Sequence, residues 1–322
     1  MEFRTLGNTN LKVSRISLGS MTFGSQVDEG EATAIVDHCL QAGINFFDTA
    51  NVYNKGESEK ILGKALKGRR HQVVLATKAG LKMGTEPDDA GLSRPAIRKA
   101  IDESLKRLGT DYVDLYYLHA PDWSTRIEET LETLNALTVE GKIRYPATSN
   151  YASWQVMQML WHCENRSYAP PTVSQQMYNV LARGIEQEYM SFCSEYAIAV
   201  IAYNPLAGGL LAGKHSLEIP PPQGTRFDGN ELYQKRYWHA PYFGAIARLK
   251  DIAQRAGLTM PSLAFRWLLG RPVDSILLGV SSIVQLEQDI SACQGPALGL
   301  EVFEACDAVW EELRGVTPKY NR

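Results

Sequence analysis

The sequence is short of the features that mark charged and membrane-bound classes. Its 33 basic and 36 acidic residues nearly cancel, for a net charge of −3. That balance excludes the basic footprint of a nucleic-acid-binding protein and the polybasic patches that hold proteins on anionic lipid. No apolar run approaches the ~18 residues a membrane span requires. The opening Met1-Glu2-Phe3-Arg4-Thr5 lacks the apolar core of a secretory signal. The five cysteines are an odd number without a CxxC pair, so a disulfide framework is not expected. His38 beside Cys39 and His162 beside Cys163 lack the spacing of a metal knuckle, and no metal is assigned. There is no linker, repeat or low-complexity tract. The expectation is one soluble domain over 1–322, cytoplasmic, with buried reduced thiols.

What is present is a rhythm. Eight short β-rich runs alternate with longer segments of helical period. The runs are Val13–Leu18, Ile44–Asp48, Val73–Thr77, Val113–Leu118, Ile143–Thr148, Val173–Gln176, Ala199–Tyr203 and Ser275–Leu278. They show little polar alternation, as strands buried on both faces do. Between them, Ile97, Ile101, Leu105 and Leu108 fall on one helical face between a Ser93 cap and Gly109. Ile127, Leu131, Leu134 and Leu137 repeat the pattern before Gly141, as do Ile246, Leu249 and Ile252 before Gly257. Eight such units in a chain above ~250 residues predict an α/β fold, a (β/α)8 TIM barrel. An open doubly wound sheet is the alternative, but no GxGxxG follows the first strand.

Ahead of the barrel, Phe3–Leu6 and Leu11–Val13 flank Gly7-Asn8-Thr9-Asn10, which predicts a β-hairpin at the barrel floor. Residues 204 to about 242 carry several glycines and prolines and no clear period, a long loop after strand seven of the kind that forms lids and binding loops. Pro146 falls inside strand five, so that strand is expected to be short or bulged there.

In a barrel the C-terminal strand ends converge on one mouth. There stand Asp48, with Tyr53 just beyond, Lys78, His119, Ser149 and Asn150, and Gln175. Strand seven runs into Tyr203-Asn204-Pro205 and strand eight into Gly279-Val280-Ser281-Ser282. Singly, Asp48 can cap a turn, Lys78 can be a solvated charge, Tyr53 a rim aromatic and His119 a satisfied polar group. Together they form a chemical set. A phenol of ordinary pKa ~10 is a weak acid at neutral pH. A neighbouring ammonium stabilises phenolate and strengthens it, and a carboxylate holds that ammonium in place and charged. The phenol then serves as general acid to a developing alkoxide, and the imidazole orients the carbonyl oxygen. No residue offers an acyl nucleophile. The set suits carbonyl reduction with a hydride donor.

Asp48-Thr49-Ala50-x-x-Tyr53-x-x-Gly56-x-Ser58-Glu59 resembles the signature of the aldo-keto reductases. Ala76-Thr77-Lys78, Leu118-His119-Ala120-Pro121-Asp122, Gly141-Lys142-Ile143-Arg144, Ser149-Asn150-Tyr151 and Gln175-x-x-Tyr178-Asn179 extend the resemblance over almost the whole chain. The aflatoxin-aldehyde (succinic semialdehyde) reductase branch is the most similar. Its carriers include Pro121-Asp122-x-Ser124-Thr125, Ala202 through Lys214, Arg226-Phe227-x-Gly229-Asn230, Arg236-Tyr237-Trp238 and Pro318-x-Tyr320-x-Arg322. The related potassium-channel β subunits share fold and tetrad, so a cofactor-binding regulatory subunit is the alternative function.

The resemblance implies an NADPH-dependent carbonyl reductase with Tyr53 as proton donor, Asp48 and Lys78 in support and His119 orienting the substrate. It implies Ser149, Asn150 and Gln175 on the nicotinamide amide, with Met21 beside the cofactor and Tyr203 stacked on its ring. The loop Asn204 to Lys214, with Leu206, Gly208 and Leu210, would cover the pyrophosphate. Gly279, Ser281, Ser282, Gln285, Gln288 and Asp289 would hold the adenosine end. The family often has Asn where Asp289 stands, and many members have Lys or Arg where Val280 and Ser282 stand. Arg226 or Lys214 must then meet the 2′-phosphate; NADPH is favoured over NADH.

Gly208 through Lys214 reads GxxxxGK, but His215 follows in place of the Mg²⁺-binding Ser or Thr, which argues against an NTPase site; the resemblance implies a dinucleotide-phosphate loop, and a glycine-rich turn without ligand is the alternative. Met21, Phe23, Trp123 and Trp238 are expected in the pocket wall, which suits small aldehydes, ketones or dicarbonyls. Arg236 and Arg322 are candidate carboxylate anchors. Each of these six can equally be packing or surface. Monomer and homodimer both fit.

Overall fold

The computed structural model describes residues 1–316. They fall into two compact units. The first comprises Met1–Gln176, Ser191–Ile201 and Asp274–Leu286; the second comprises Met177–Met190, Ala202–Val273 and the chain from Glu287 on. A two-stranded antiparallel sheet, β1 (Phe3–Thr5) and β2 (Lys12–Ser14), precedes the barrel. The barrel strands are β3 (Ile16–Gly19), β4 (Phe46–Asp48), β5 (Val74–Ala79), β6 (Val113–Leu118), β7 (Ile143–Ser149), β8 (Val173–Met177), β9 (Ala199–Tyr203) and β10 (Ser275–Gly279). They close in the order β10-β3-β4-β5-β6-β7-β8-β9. The fold is the expected (β/α)8 barrel with its hairpin.

Two boundaries differ from expectation. The run Val13–Leu18 is two strands, parted at Arg15: its N–H donates to Glu2 O in the hairpin (3.0 Å) while its C=O accepts from Ile276 N in the barrel (2.9 Å). No turn residue marks that break. Pro146 neither shortens nor bulges β7. In a parallel ladder a residue's N–H and C=O face the same neighbour. The Pro146 carbonyl accepts from Thr172 N (3.2 Å), so the missing N–H would face residue 170, before β8 begins at Val173. No ladder bond is lost there.

The hairpin seals the floor. Leu6, Leu11 and Val13 join one buried cluster with Phe46, Val74, Ala76, Leu115, Tyr117, Ala147, Val173, Ala199 and Ile201, the inward positions of six strands. Gly7 makes the docking possible. Its φ is +46°, and a Cβ there would lie 2.4 Å from Ala197 O, so only glycine fits.

Around the first unit run α1 (Glu29–Gln41), α2 (Glu57–Ala65), α3 (Arg94–Leu108), α4 (Ile127–Val139) and α5 (Ser153–Arg166), and α6 (Tyr189–Glu195) leads toward β9. Ser93 Oγ caps α3 by accepting from Ala96 N, and Gly109 ends it at φ +64°. The second unit contains α7 (Glu231–Tyr237), α8 (Ala240–Arg255), α9 (Met260–Leu269) and α11 (Leu300–Arg314); α10 (Ile283–Cys293) follows β10. The long loop after β9 contains short helical elements: Ala207–Ala212 form 3-10 turns and α7 follows. Seven residues are too few to show a helical period. No helix among the described residues is long and apolar enough to cross a membrane.

Candidate active site

The inward positions that fill the floor change character two residues later on the same strands. Phe46 gives way to Asp48, Ala76 to Lys78, Tyr117 to His119, Ala147 to Ser149 and Val173 to Gln175. Strand pairing sets Ser149 level with Gln175 and steps the others upward by two residues, Asp48 standing opposite Ala76 and Lys78 opposite Tyr117. Side chains on alternate residues share a face, so period two alone assembles the group.

Lys78 and Asp48 are wholly buried and paired through Lys78 Nζ and Asp48 Oδ1. Lys78 Nζ also donates to Thr49 O (2.9 Å) and to the Tyr53 hydroxyl (3.4 Å). Gln175 Nε2 donates to the other carboxylate oxygen, Asp48 Oδ2 (2.8 Å). Burial alone would push Lys78 down, but the Asp48 charge, the Tyr53 hydroxyl and the hydrogen bonds to both hold it above the ordinary lysine value. The ammonium is therefore charged beneath the phenol. Tyr53 is half-buried, and its ring meets that of His119 edge-on with centroids 5.9 Å apart. Burial, and then the Lys78 charge, pull His119 down to about 3, so its ring is neutral at physiological pH. His119 Nδ1 is buried with no hydrogen-bond partner among the described residues.

Tyr53 opens an unusual turn. Asn54, Lys55 and Gly56 all have positive φ, at 48°, 56° and 89°. Asn54 holds the turn through Nδ2, which donates to Phe23 O (2.6 Å) and Met21 O (3.0 Å). Asparagine and glycine favour this backbone region; the intervening lysine carries no such signal, and sequence reasoning missed the turn. Asn150, directly after β7, is also left-handed (φ 63°). Its Nδ2 donates to His119 O (2.9 Å) and Ser149 Oγ (3.0 Å), tying the ends of β6 and β7.

The remaining candidates of the first unit sit at its strand ends and loops. Gly279 ends β10. Ser281 N and Oγ both donate to Gln285 Oε1, and Ser282 Oγ accepts from Gln285 N, a local cap at the start of α10. Met21 is 36% exposed, whereas Phe23, expected in the pocket wall, is wholly buried and presents no surface. Trp123 is 79% exposed and leans on Trp154 (centroids 6.3 Å).

In the second unit, Asn204 follows Tyr203 with φ 65°. Its Oδ1 accepts from Gly208 N (2.7 Å) and its Nδ2 donates to the Tyr237 hydroxyl (3.0 Å). Ala207, Gly208 and Gly209 also have positive φ, and their N–H groups turn inward, to Asn204 O (2.9 Å), Asn204 Oδ1 (2.7 Å) and Leu206 O (2.9 Å), so the turn is held by its own backbone. Leu206 is half-buried and Leu210 buried, Lys214 is exposed, and the Arg226 and Arg236 guanidiniums lie 5.6 and 5.5 Å from the Tyr233 ring. Trp238 packs with Phe227 and Phe243 (5.0 and 5.1 Å). Gln288 is exposed and Asp289 buried. Arg322 lies outside the described residues.

A buried ammonium–carboxylate pair thus stands beside a phenol and a neutral imidazole at the strand ends. The Aldo/keto reductase family profile matches residues 15–311. Aflatoxin B1 aldehyde reductase member 2 of Rattus norvegicus is 38% identical over 324 residues, covering 95% of this chain and 87% of that protein. Aldo-keto reductase family 7 member A3 of Homo sapiens is 37% identical over 95% of this chain and 96% of its own. A probable voltage-gated potassium channel subunit beta of Oryza sativa subsp. japonica is 34% identical over 99% of this chain and all of its own. The chain belongs to the aldo/keto reductase family and is an NAD(P)H-dependent oxidoreductase acting on carbonyl groups.

Proposed function

We propose that the protein reduces small aldehydes or dicarbonyls to alcohols with NADPH, using Tyr53 as general acid. The observation that carries the reading is the Tyr53 hydroxyl 3.4 Å from a buried, charged Lys78. The ammonium stabilises the phenolate left when the proton departs, which makes the phenol a stronger acid than it is in water. Asp48 and Gln175 keep the ammonium from drifting. Neutral His119 can hold the substrate oxygen by a hydrogen bond without adding charge, and so orients the carbonyl toward Tyr53.

A dihydronicotinamide, when bound, would supply hydride. The residues present fit it: Ser149, Asn150 and Gln175 are hydroxyl and carboxamide groups beside Asp48, and the half-buried Tyr203 offers a flat ring for stacking. Asn204 to Lys214 is assigned to the diphosphate, with the exposed Lys214 as its cation, and Ser281, Ser282, Gln285, Gln288 and Asp289 to the adenosine end. Arg226 and Lys214 are the cations assigned to a 2′-phosphate, which favours NADPH. Trp123 and Trp238 are assigned to the substrate, with Arg236 and Arg322 as carboxylate anchors. The whole chain is read as one catalytic domain. Five cysteines without disulfides support a cytoplasmic setting.

The test is Tyr53→Phe. Turnover of an aldehyde panel should fall by at least ~10³-fold, while NADPH still quenches protein fluorescence with an unchanged Kd. Near-normal kcat would exclude tyrosine as the acid. A second reading, a cofactor-holding regulatory subunit, draws support from the full-length similarity to the rice protein. Turnover slower than about one per minute by the wild type on every aldehyde offered would favour it over the typical enzyme range.

A further inference from the structure

We infer that Glu59 and Thr77 are positioning residues that set the separation between the Tyr53 hydroxyl and the Lys78 ammonium. The inference rests on the reading of Tyr53 as the acid. Two consecutive polar residues, Ser58 and Glu59, open α2 and are wholly buried. Ser58 Oγ donates to Ser20 O (2.7 Å) and lies 3.0 Å from Thr49 Oγ1, next in sequence to Asp48. Glu59 Oε1 accepts from Thr77 Oγ1 (2.5 Å), next in sequence to Lys78. Glu59 Oε2 accepts from Arg107 Nε (2.6 Å) of α3. The helix that continues the tyrosine turn is thus tied by side chains to the neighbours of both charged residues.

Arg107 also underlies the turn itself. A Cβ at Gly56 would lie 2.8 Å from Arg107 Cδ, so glycine there leaves room for the side chain whose guanidinium reaches Glu59. Mere cohesion does not need this arrangement. Thr77 points away from the barrel interior, where an apolar side chain would pack as well, and a buried ion pair gains little over well-packed apolar residues. What hydrogen bonds add is a link of fixed length and direction. The Tyr53 to Lys78 contact, at 3.4 Å, is at the long end of hydrogen bonding, so small shifts of the turn decide whether it exists.

The test compares Thr77→Val, which keeps shape and loses the hydroxyl, with Thr77→Ser, which keeps the hydroxyl and loses the methyl. Two readouts are taken: kcat and KM with NADPH and an aldehyde, and the Tyr53 titration in cofactor-free protein. The latter is phenolate absorbance minus that of Tyr53→Phe. The groups facing Tyr53 are Lys78 of β5, Asp48 of β4 and His119 beyond β6, with Tyr117 of β6 across Lys78; neither variant alters them. Thr77→Val should lower kcat about tenfold with KM within about twofold, since small misplacements of a catalytic group act on turnover. Its Tyr53 midpoint should rise by about half a pH unit or more as the ammonium recedes. Thr77→Ser should match wild type in both. An unmoved midpoint in Thr77→Val, or equal losses in the two variants, overturns the inference. Glu59→Gln gives an independent check: with its oxygen toward the Arg107 N–H, its amide N–H can donate to the Thr77 hydroxyl, which accepts as well as donates, so the link persists and kcat should stay within about threefold of wild type even if Tm falls. A loss as large as that of Thr77→Val overturns the link. Should Tyr53→Phe retain turnover, the reading of the acid fails instead, and the phenolate midpoint still reports on the link.

Discussion

The floor and the mouth of the barrel use the same inward positions of the same strands for opposite ends. At the floor, Phe46, Val74, Leu115 and Val173 meet the hairpin's Leu6, Leu11 and Val13 in a fully apolar seal. One or two inward positions further on stand Asp48, Lys78 and Gln175, joined by directed hydrogen bonds, and His119. The difference shows what each region needs. The floor needs only volume and dryness. The mouth needs charges held where water does not screen them, and a desolvated ion costs several kcal/mol that packing elsewhere must offset. The floor thus supports the chemistry from below and meets it at Tyr117, whose ring lies 5.7 Å from Lys78 Nζ.

That separation can be broken experimentally. The largest effect is expected from Lys78→Met. It should cost at least ~10³-fold in kcat and, by leaving Asp48 buried and unpaired, about 3–5 kcal/mol of stability. Adding Asp48→Asn should restore most of the stability in urea melts and none of the turnover. Recovery of both together would mean that the pair is only structural. Leu11→Ala at the floor should cost about 2–5 kcal/mol yet leave kcat and KM unchanged well below the melting transition. A collapse of kcat in the folded variant would show that floor and mouth are coupled.

The smallest effect is the pH response of His119. Its folded pKa, about 3, lies below its ordinary 6.5, so between those values the unfolded chain binds the extra proton. The stabilising contribution of the neutral ring is complete above pH 6.5 and is lost as pH falls toward 3. From about pH 6.5 to 5, wild type should lose on the order of 1–2 kcal/mol more than His119→Gln. Parallel stability curves would mean that the ring is solvated.

The barrel and the tetrad were legible because both follow from period two: β-rich runs of even spacing, and residues that switch from apolar to polar at their ends. What escaped lay off that period. Arg15 parts two strands without a glycine or proline to announce it. Phe23 reads as a pocket aromatic yet faces the core. Lys55 enters the left-handed region against its propensity, held there by Asn54 and Gly56 on either side. Ser58 and Glu59 were visible as letters of a signature, but nothing in the one-dimensional pattern shows that such polar residues are buried or that Glu59 reaches Thr77.

The lock at Gly7 has a consequence for synthesis. Its backbone nestles against Thr172 and Ala197, residues that emerge from the ribosome long after it. At about 5–20 residues per second, the hairpin waits some 10–40 s for a place to dock. Barrel closure waits longer still, for the pairing of Ile16 with Ile276. During that interval Leu6, Leu11 and Val13 are open to solvent and to neighbouring chains. A nascent-chain chaperone that shields them should raise the yield of folded protein more than one acting on the finished chain.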